Sequence, residues 1–362
     1  MKKIFLTILL PVLLIISGCN TQAAVNRDTV GNISGTRDEL KISMLNIGHG
    51  DAILIRTNTQ TILFDTANTQ KHAEFVRELE KLSVTKIDKL ILSHPHSDHI
   101  GGAKMIVNPS KKDIEDYPYL EKISVAEIYD NGIAHGSALY KNLLKSIKSK
   151  NIPYHSLKAG DTLDFGNGVK FKVLWPTNEF VETIKGKQFD KEDRANNVNN
   201  RSIVGKLTYK NFSMMFTGDC EKESEAKIVA GNKAEDLKCD VLKSGHHGIS
   251  TSSTKEFVGA IKPSIVLISA GKKGEDNEWR GAPYLKPLAS YLSNGVDKKN
   301  IYCTRWNGTI TVTTDGKSFS VEPEQNRDWI DEWIAGKKKI NADKRKLAKE
   351  QELAGKQEDE QS

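Results

Sequence analysis

The chain has 362 residues and a formal net charge of +6, from 53 lysines and arginines against 47 aspartates and glutamates. That length suits one large domain, and so weak a basic balance tolerates an anionic partner such as nucleic acid or teichoic acid without demanding one. Of the four cysteines, Cys19 directly follows an N-terminal leader, and Cys220, Cys239 and Cys303 show no pairing pattern, which argues against a disulfide framework.

Residues 1–18 read as a lipoprotein signal peptide. Lys2-Lys3 precedes an apolar core over 4–16, whose 13 residues are too few to span a bilayer as a helix. Ile16-Ser17-Gly18-Cys19 is similar to a bacterial lipobox, in which cleavage leaves Cys19 as a lipid-bearing N-terminus. The mature chain, without Lys2 and Lys3, would carry +4 and be anchored to the membrane by acyl chains, outside the cytoplasm. Residues 19–38 are polar and free of aromatic side chains, a flexible tether.

Alternation over 40–47, a turn at Gly48-His49-Gly50-Asp51, and apolar runs over 52–56 and 61–65 predict a β-meander. A helix follows over 72–82, with His72 on its surface. The apolar run 89–92 predicts a buried strand. Its C-terminal end carries His94-Pro95-His96-Ser97-Asp98-His99, and a helix can begin at Gly101-Gly102. Three imidazoles and a carboxylate within six residues mark a metal site, since nitrogen and oxygen ligands without thiolate suit zinc, manganese or iron. His94 and His96, two apart on extended backbone, point to one side and can grip one cation. Asp98 and His99, further round the turn, can face a second. Loops at strand C-termini are also where α/β sheets bind ligands.

Beyond the motif, 124–129 predicts a strand, 138–149 a helix, and 161–175 a hairpin about Gly166-Asn167-Gly168. The charged stretch 177–196 reads as a loop, either facing substrate or idle on the surface. A second hairpin, 203–207 with 212–216, ends in Thr217-Gly218-Asp219, with Cys220 as a small packing residue and a helix over 221–230. The strand 239–243 delivers Gly245-His246-His247-Gly248. Adjacent histidines on extended backbone face opposite ways, so one would bind metal while the other contacts substrate or orients a ligand, and spacing does not say which. The hydroxyls of Ser250, Thr251, Ser252 and Ser253 either meet anionic oxygen or cap a helix. Then come a strand over 262–270, a loop over 271–283, a helix over 285–294, and strands over 301–312 and 318–321 closing a second sheet. The tail 322–362, with nine basic and eleven acidic residues, reads as a helix that packs Trp329 and Trp333 on the body and frays after Lys337.

HPHSDH fits the HxHxDH motif of the metallo-β-lactamase superfamily, and the chain resembles its ComEC-type branch, named for the metallo-hydrolase domain of the bacterial DNA-uptake channel. The resemblance continues through MLNIGHGDAILI (44–55), ILFDT (62–66), NNRSIVGKL (199–207), MFTGDCEKESE (215–225) and VLKSGHHGISTSS (241–253), in the family's order over about residues 40–321. It implies an α+β fold, an αββα sandwich forming a single catalytic domain over 39–321. It also implies two divalent cations, zinc or manganese, held by His94, His96, Asp98, His99, Asp219 and the His246-His247 pair. Asp219 would bridge the two, with Gly218 allowing close backbone approach.

One departure concerns a ligand. Most binuclear members supply a further histidine upstream of the bridging aspartate. Here that region reads Asn199-Asn200-Arg201-Ser202, as the ComEC-type branch also lacks it. The first cation would then rest on His94, His96, Asp219 and water, with Asn200 or Ser202 as weak or outer partners. Looser coordination lets manganese compete with zinc and argues against β-lactam hydrolysis. His49 stands where the family usually has glutamine and either touches substrate or lies in solvent. Ala282-Pro283 replaces a His-Pro pair.

The function expected is a metal-dependent hydrolase, a phosphodiesterase or nuclease acting on extracellular DNA or cell-wall phosphodiesters through a metal-activated water. The chain would be monomeric, with Asp98 and Asp219 as catalytic carboxylates and His49, Asn200, Ser202, Ser250 and Thr251 towards substrate. The alternative is a binding component of a DNA-uptake or cell-wall apparatus that keeps the metal site without turnover.

Overall fold

Period-two alternation in both halves of the chain sets up two sheets, each burying one face on the other. The structure, a computed structural model, describes residues 38–185, 197–271 and 281–359. The expected signal peptide, Cys19 and nearly all of the tether lie outside the described residues. One sheet has eight strands, β1 (Leu40–Met44), β2 (Ile53–Arg56), β3 (Thr61–Phe64), β4 (Lys86–Ile91), β5 (Ser124–Asp130), β6 (Tyr154–Ser156), β14 (Ile310–Thr314) and β15 (Phe319–Pro323), in the order β15-β14-β1-β2-β3-β4-β5-β6. The other has β7 (Thr162–Asp164), β8 (Lys170–Trp175), β9 (Val204–Tyr209), β10 (Phe212–Phe216), β11 (Val241–Lys243), β12 (Ile265–Ile268) and β13 (Ile301–Cys303), in the order β13-β12-β11-β10-β9-β8-β7. Each sheet is part antiparallel and part parallel: β3 to β6 and β10 to β13 run parallel.

The sheets meet through aromatic side chains. The Phe64 ring lies 5.7 Å from that of Phe171 and 5.2 Å from that of Phe216. Helices cover the outer faces. Phe75 and Leu79 of helix His72–Lys81 cluster with Leu63 and Leu90, while Phe257 and Ile261 of helix Lys255–Ile261 cluster with Leu242 and Val266. Successive residues divide between layers, Met214 joining the inner core and Met215 the outer one. Each such burial contributes about 1.5–3 kcal/mol, and together they make the expected helix-sheet-sheet-helix sandwich. Among the described residues no helix is long and apolar enough to cross a membrane.

Three segments depart from expectation. The stretch 177–196 is not loop throughout: Thr177 accepts a bond from Phe180 N and caps helix Asn178–Ile184, whose Phe180 and Ile184, four apart, bury beside Trp175. Residues 186–196, like 272–280 of the expected loop 271–283, lie outside the described residues. The run 301–312 is not one strand. Asn307 Oδ1 accepts Cys303 N, and the turn Thr304–Asn307 with Gly308 at φ 66° swings the chain from one sheet to the other, so β14 and β15 extend the first sheet beside β1. The tail does not fray after Lys337, because helix Ile330–Asp359 continues. Trp329 and Trp333 pack on the body as expected, Trp329 stacking on Trp306 at 4.3 Å.

Candidate metal centre

The strands of both sheets deliver their ends to one place. Asp65 follows β3, residues 93–102 follow β4, Gly218-Asp219 follows β10, Gly245–Gly248 follows β11 and Ser269 follows β12, while Asp51 enters from the turn before β2. Backbone bonds lace these segments together: Asp51 N donates to Asp98 O at 3.0 Å, Ala67 N to Asp51 O at 2.8 Å and His246 N to Gly218 O at 3.2 Å. Gly218 sits at φ 50°, where a Cβ would lie 2.9 Å from Ser202 Cβ and 3.0 Å from Ser93 Cβ, so glycine is needed for Asp219 to come in. A helix does begin after Gly101-Gly102, Ala103–Val107 with Gly102 at its N-cap, and a further short turn, Ser97–Ile100, precedes it and carries Asp98 and His99.

Four imidazoles share one arrangement. Each ties Nδ1 to an oxygen partner and presents Nε2 to Asp219. His99 Nδ1 is 2.8 Å from Asp65 Oδ2, and its Nε2 is 3.1 Å from Asp219 Oδ2. His247 Nδ1 is 2.9 Å from Ser269 O, and its Nε2 is 3.5 Å from Asp219 Oδ1 and 3.4 Å from Asp98 Oδ2. His94 Nδ1 meets the hydroxyls of Ser93 and Ser202 at 3.1 and 3.2 Å, and its Nε2 is 3.9 Å from Asp219 Oδ2. His246 Nδ1 is 3.0 Å from Thr251 Oγ1 and 3.1 Å from Glu221 Oε1, and its Nε2 is 3.6 Å from Asp219 Oδ2. His96 adds Nδ1, 3.0 Å from His94 Nε2. Such a partner fixes the tautomer and orientation of a ligating imidazole.

The donor set fits divalent cations. Two ligand atoms on one small cation lie roughly 3.0–3.4 Å apart in octahedral or tetrahedral geometry. The distances among Asp98, His99, Asp219 and His247 match, and these four offer ligand atoms all within 4.8 Å of one another. His99 Nε2, His247 Nε2 and Asp219 Oδ1 are buried with no hydrogen-bond partner among the described residues, a costly state that a cation would relieve. The pair His94 Nε2 and His96 Nδ1, 3.0 Å apart, offers a second, more open position, with His94 Nε2 3.9 Å from Asp219 Oδ2. Cys220 is buried in the outer core with its thiol pushed up by burial, so it packs as expected and supplies no thiolate.

Charge in this cluster is tightly arranged. Burial opposes ionisation of Asp98 and Asp219, yet His247 and His99 beside them hold both carboxyls well below the usual range. Burial likewise opposes charge on His99 and His247, but Asp219, with Asp65 for the first and Asp51 for the second, keeps both imidazoles well above the ordinary value. Cations would compete with protons for the same Nε2 atoms. Burial, then His99, keeps His94 neutral, well below the ordinary value.

The remaining expected residues divide. His246 and His247 do not lie on extended backbone facing opposite ways. Both adopt left-handed φ, 47° and 54°, and that tight turn brings both rings to Asp219. His49 is at the mouth, its side chain 38% exposed, with Nε2 3.4 Å from Asp98 Oδ2. Burial, then His247, lowers its pKa to about 4. Thr251 reaches His246, and Ser250 is half-buried in the same loop. Ser202 is buried, bonding His94 and accepting Asp219 N at 3.0 Å, which makes it an outer support. Asn200 is fully buried, with Oδ1 accepting Glu221 N and Nδ2 donating to Glu223, so it clamps the helix Lys222–Gly231 where substrate contact was expected. The asparagine beside His246 is Asn199.

Sequence reasoning passed over four residues. Asp65 accepts Ser93 N, Ser93 Oγ and His99. Asp51 pairs with the buried Lys243, which also donates to Gly218 O at 2.7 Å. Glu221, held by the amides of Asn197 and Asn199, faces His246. The signal available was their place at strand ends inside GHGD, ILFDT, TGDCE and VLKSGHHG.

Residues 45–272 match the family profile described as the metallo-beta-lactamase superfamily. The chain is 27% identical over 305 residues to ComE operon protein 3 of Bacillus subtilis (strain 168), which covers 79% of this chain and 34% of that protein. It is 26% identical over 235 residues to competence protein ComA of Neisseria gonorrhoeae, covering 65% and 27%. The chain thus spans about a third or less of the length of these relatives. Among solved structures, the metallo-beta-lactamase fold protein YhfI from Bacillus subtilis aligns with a TM-score of 0.46 at 12% identity, covering 76% of this chain and all of that one.

Proposed function

The chain belongs to the metallo-β-lactamase superfamily, and from that premise we propose that it is a metal-dependent hydrolase acting on the phosphodiesters of an extracellular anionic polymer, DNA or teichoic acid. The observation that carries this is the convergence of four Nδ1-tethered imidazoles on Asp219, with three of the facing atoms, His99 Nε2, His247 Nε2 and Asp219 Oδ1, buried without a hydrogen bond. His94, His96, Asp98, His99, Asp219, His246 and His247 would hold two divalent cations, zinc or manganese. Those cations supply Lewis acidity and lower the pKa of a water. The chain's own part is to hold that chemistry in place. Asp98, 18% exposed and held ionised, can accept a hydrogen bond at Oδ2 and so steer a proton, and His49 beside it can contact a substrate oxygen. The match to a competence protein supports DNA as the polymer.

The test is a panel of substrates given to the purified protein with manganese or zinc. Manganese-dependent loss of single-stranded DNA supports nuclease action. Turnover of a nitrophenyl phosphodiester with DNA left intact supports removal of teichoic-acid decorations. His96→Ala and Asp219→Ala should abolish either. Bound metal with no hydrolysis of any phosphodiester, lactone or thioester would replace this reading with that of a binding component. We place the protein outside the cytoplasmic membrane, as a monomer anchored by lipid on Cys19.

A further inference from the structure

We propose that Tyr284 and the basic block of the C-terminal helix, Lys338, Lys339, Lys344, Arg345 and Lys346, form a track for single-stranded nucleic acid leading away from the metal centre. It rests on the phosphodiester reading for the end of the strand that reaches the cations, and narrows the polymer to one that carries bases. The near balance of the tail, nine basic against eleven acidic residues, hides a segregation. Residues 337–349 hold seven lysines and arginines and one acidic residue, Asp343, whereas 322–332 and 350–360 each hold five acidic residues and one basic. The basic block lies within helix Ile330–Asp359. Residues seven apart return to nearly the same side of a helix, so Lys338 with Arg345 and Lys339 with Lys346 make one exposed basic face. A solvated face ordinarily intersperses both signs, and a block of one sign on one face is the electrostatic footprint of a polyanion.

The block is tied to the site contact by contact. Tyr284 N donates to Gly248 O at 2.8 Å, directly after the His246-His247 turn. Lys337 Nζ donates to Gly281 O at 2.6 Å and lies 4.8 Å from the centre of the Tyr284 ring, while Trp333 Nε1 donates to Pro283 O. The helix therefore springs from the segment that leans on the turn of the metal centre. Tyr284 is 40% exposed, one of two large apolar side chains so placed among the described residues. The other, Tyr154, spends its hydroxyl on Asp130 at 2.6 Å, which accounts for its position. An exposed ring beside a line of cations is the combination that holds single strands, because bases stack on the ring while the cations follow the phosphates. A polymer without bases would leave Tyr284 unused. Burial, then Arg305 and Lys344, lower the Lys337 pKa to about 8, so positive charge is already crowded at the foot of the block, and an incoming phosphate would relieve it. From Lys337 to Lys346 the helix runs about 14 Å, room for a few nucleotides.

The experiment follows the fluorescence anisotropy of a labelled oligodeoxythymidine of about 16 nucleotides with the purified protein in chelator, so that binding is read without cleavage. The wild type should bind, and its affinity should fall as salt rises. Lys338→Gln, Lys339→Gln, Arg345→Gln and Lys346→Gln together should weaken binding at least about tenfold and flatten the log-log salt slope by about 3, four phosphates at about 0.7 each. Tyr284→Leu should weaken it at least about fivefold, the low end for a stacked base, and Tyr284→Phe should stay within about twofold of the wild type. A thermal melt accompanies each variant. If Tyr284→Leu melts early, a strand of abasic sites decides, which the wild type should bind at least about fivefold more weakly than the oligonucleotide. Variants that bind like the wild type overturn the track, as does equal binding of the abasic strand. A wild type that binds phosphatidylglycerol vesicles and not the oligonucleotide also overturns it and makes the block a membrane contact. Binding in chelator with no hydrolysis of any phosphodiester in manganese supports the track and defeats the hydrolase reading, whereas turnover by a wild type that binds no strand does the reverse.

Discussion

Lys243→Ala gives the sharpest test of how the cluster is held. The ammonium is buried, pairs with the buried carboxylate of Asp51 and donates to Gly218 O at 2.7 Å. Although burial opposes its charge, Lys243 and then His247 lower the Asp51 pKa to about 2. Removing one partner of such a pair strands the other charge, at a cost of about 3–5 kcal/mol, and takes away one of the bonds that Gly218 O accepts, leaving that from His246 N. The pH dependence follows from the sign of the shift. A depressed carboxyl contributes stability that is complete above its unfolded value near 4 and lost as pH falls towards 2. The deficit of the variant should therefore be widest near neutral pH and narrow below about pH 4. Urea unfolding in the presence of chelator measures it without linkage to bound metal. A loss under about 1 kcal/mol, or a deficit that grows on acidification, would refute the reasoning.

Asp65→Asn removes the carboxylate that orients His99, and should lower the affinity of the Asp98-His99-His247 position by about 10- to 100-fold in a cation titration while changing the His94-His96 position little. Trp333→Ala should cost about 3–5 kcal/mol, read as a fall of roughly 10 °C in Tm. The indole is buried and donates to Pro283 O at 2.8 Å, and Pro283 packs on Gly248, so the loss should also loosen the turn carrying His247. Cys19→Ser should move the protein from the membrane fraction into the medium or periplasm with specific activity unchanged. Retention in the membrane would contradict the lipid anchor.

Much of the fold was legible because alternation is a local signal: the meander 40–65 and both hairpins appear within about three residues of their expected places. The motif 94–99 was legible because five of its six residues bear on chemistry or turn geometry, and density of that kind needs no tertiary knowledge. Asp51, Asp65 and Lys243 were not, since a single charge at a strand end reads as solvated until the opposing strand buries it. The role of Glu221 depends on His246, 25 positions away and on another strand. The left-handed turn at His246-His247 is set by the neighbouring glycines and by contact with Gly218 O, and residue type alone suggested extended backbone. The break within 301–312 likewise rests on one side-chain bond from Asn307 to the Cys303 amide.

The central claim, that Asp219 joins two cation positions, is tested most directly by anomalous diffraction from crystals grown with manganese and measured at the manganese absorption edge. The account predicts two peaks, one within about 2.3 Å of His99 Nε2, His247 Nε2 and an Asp219 oxygen, the other at similar distance from His94 Nε2 and His96 Nδ1. Crystals that show manganese elsewhere on the protein and no peak beside Asp219 would contradict it.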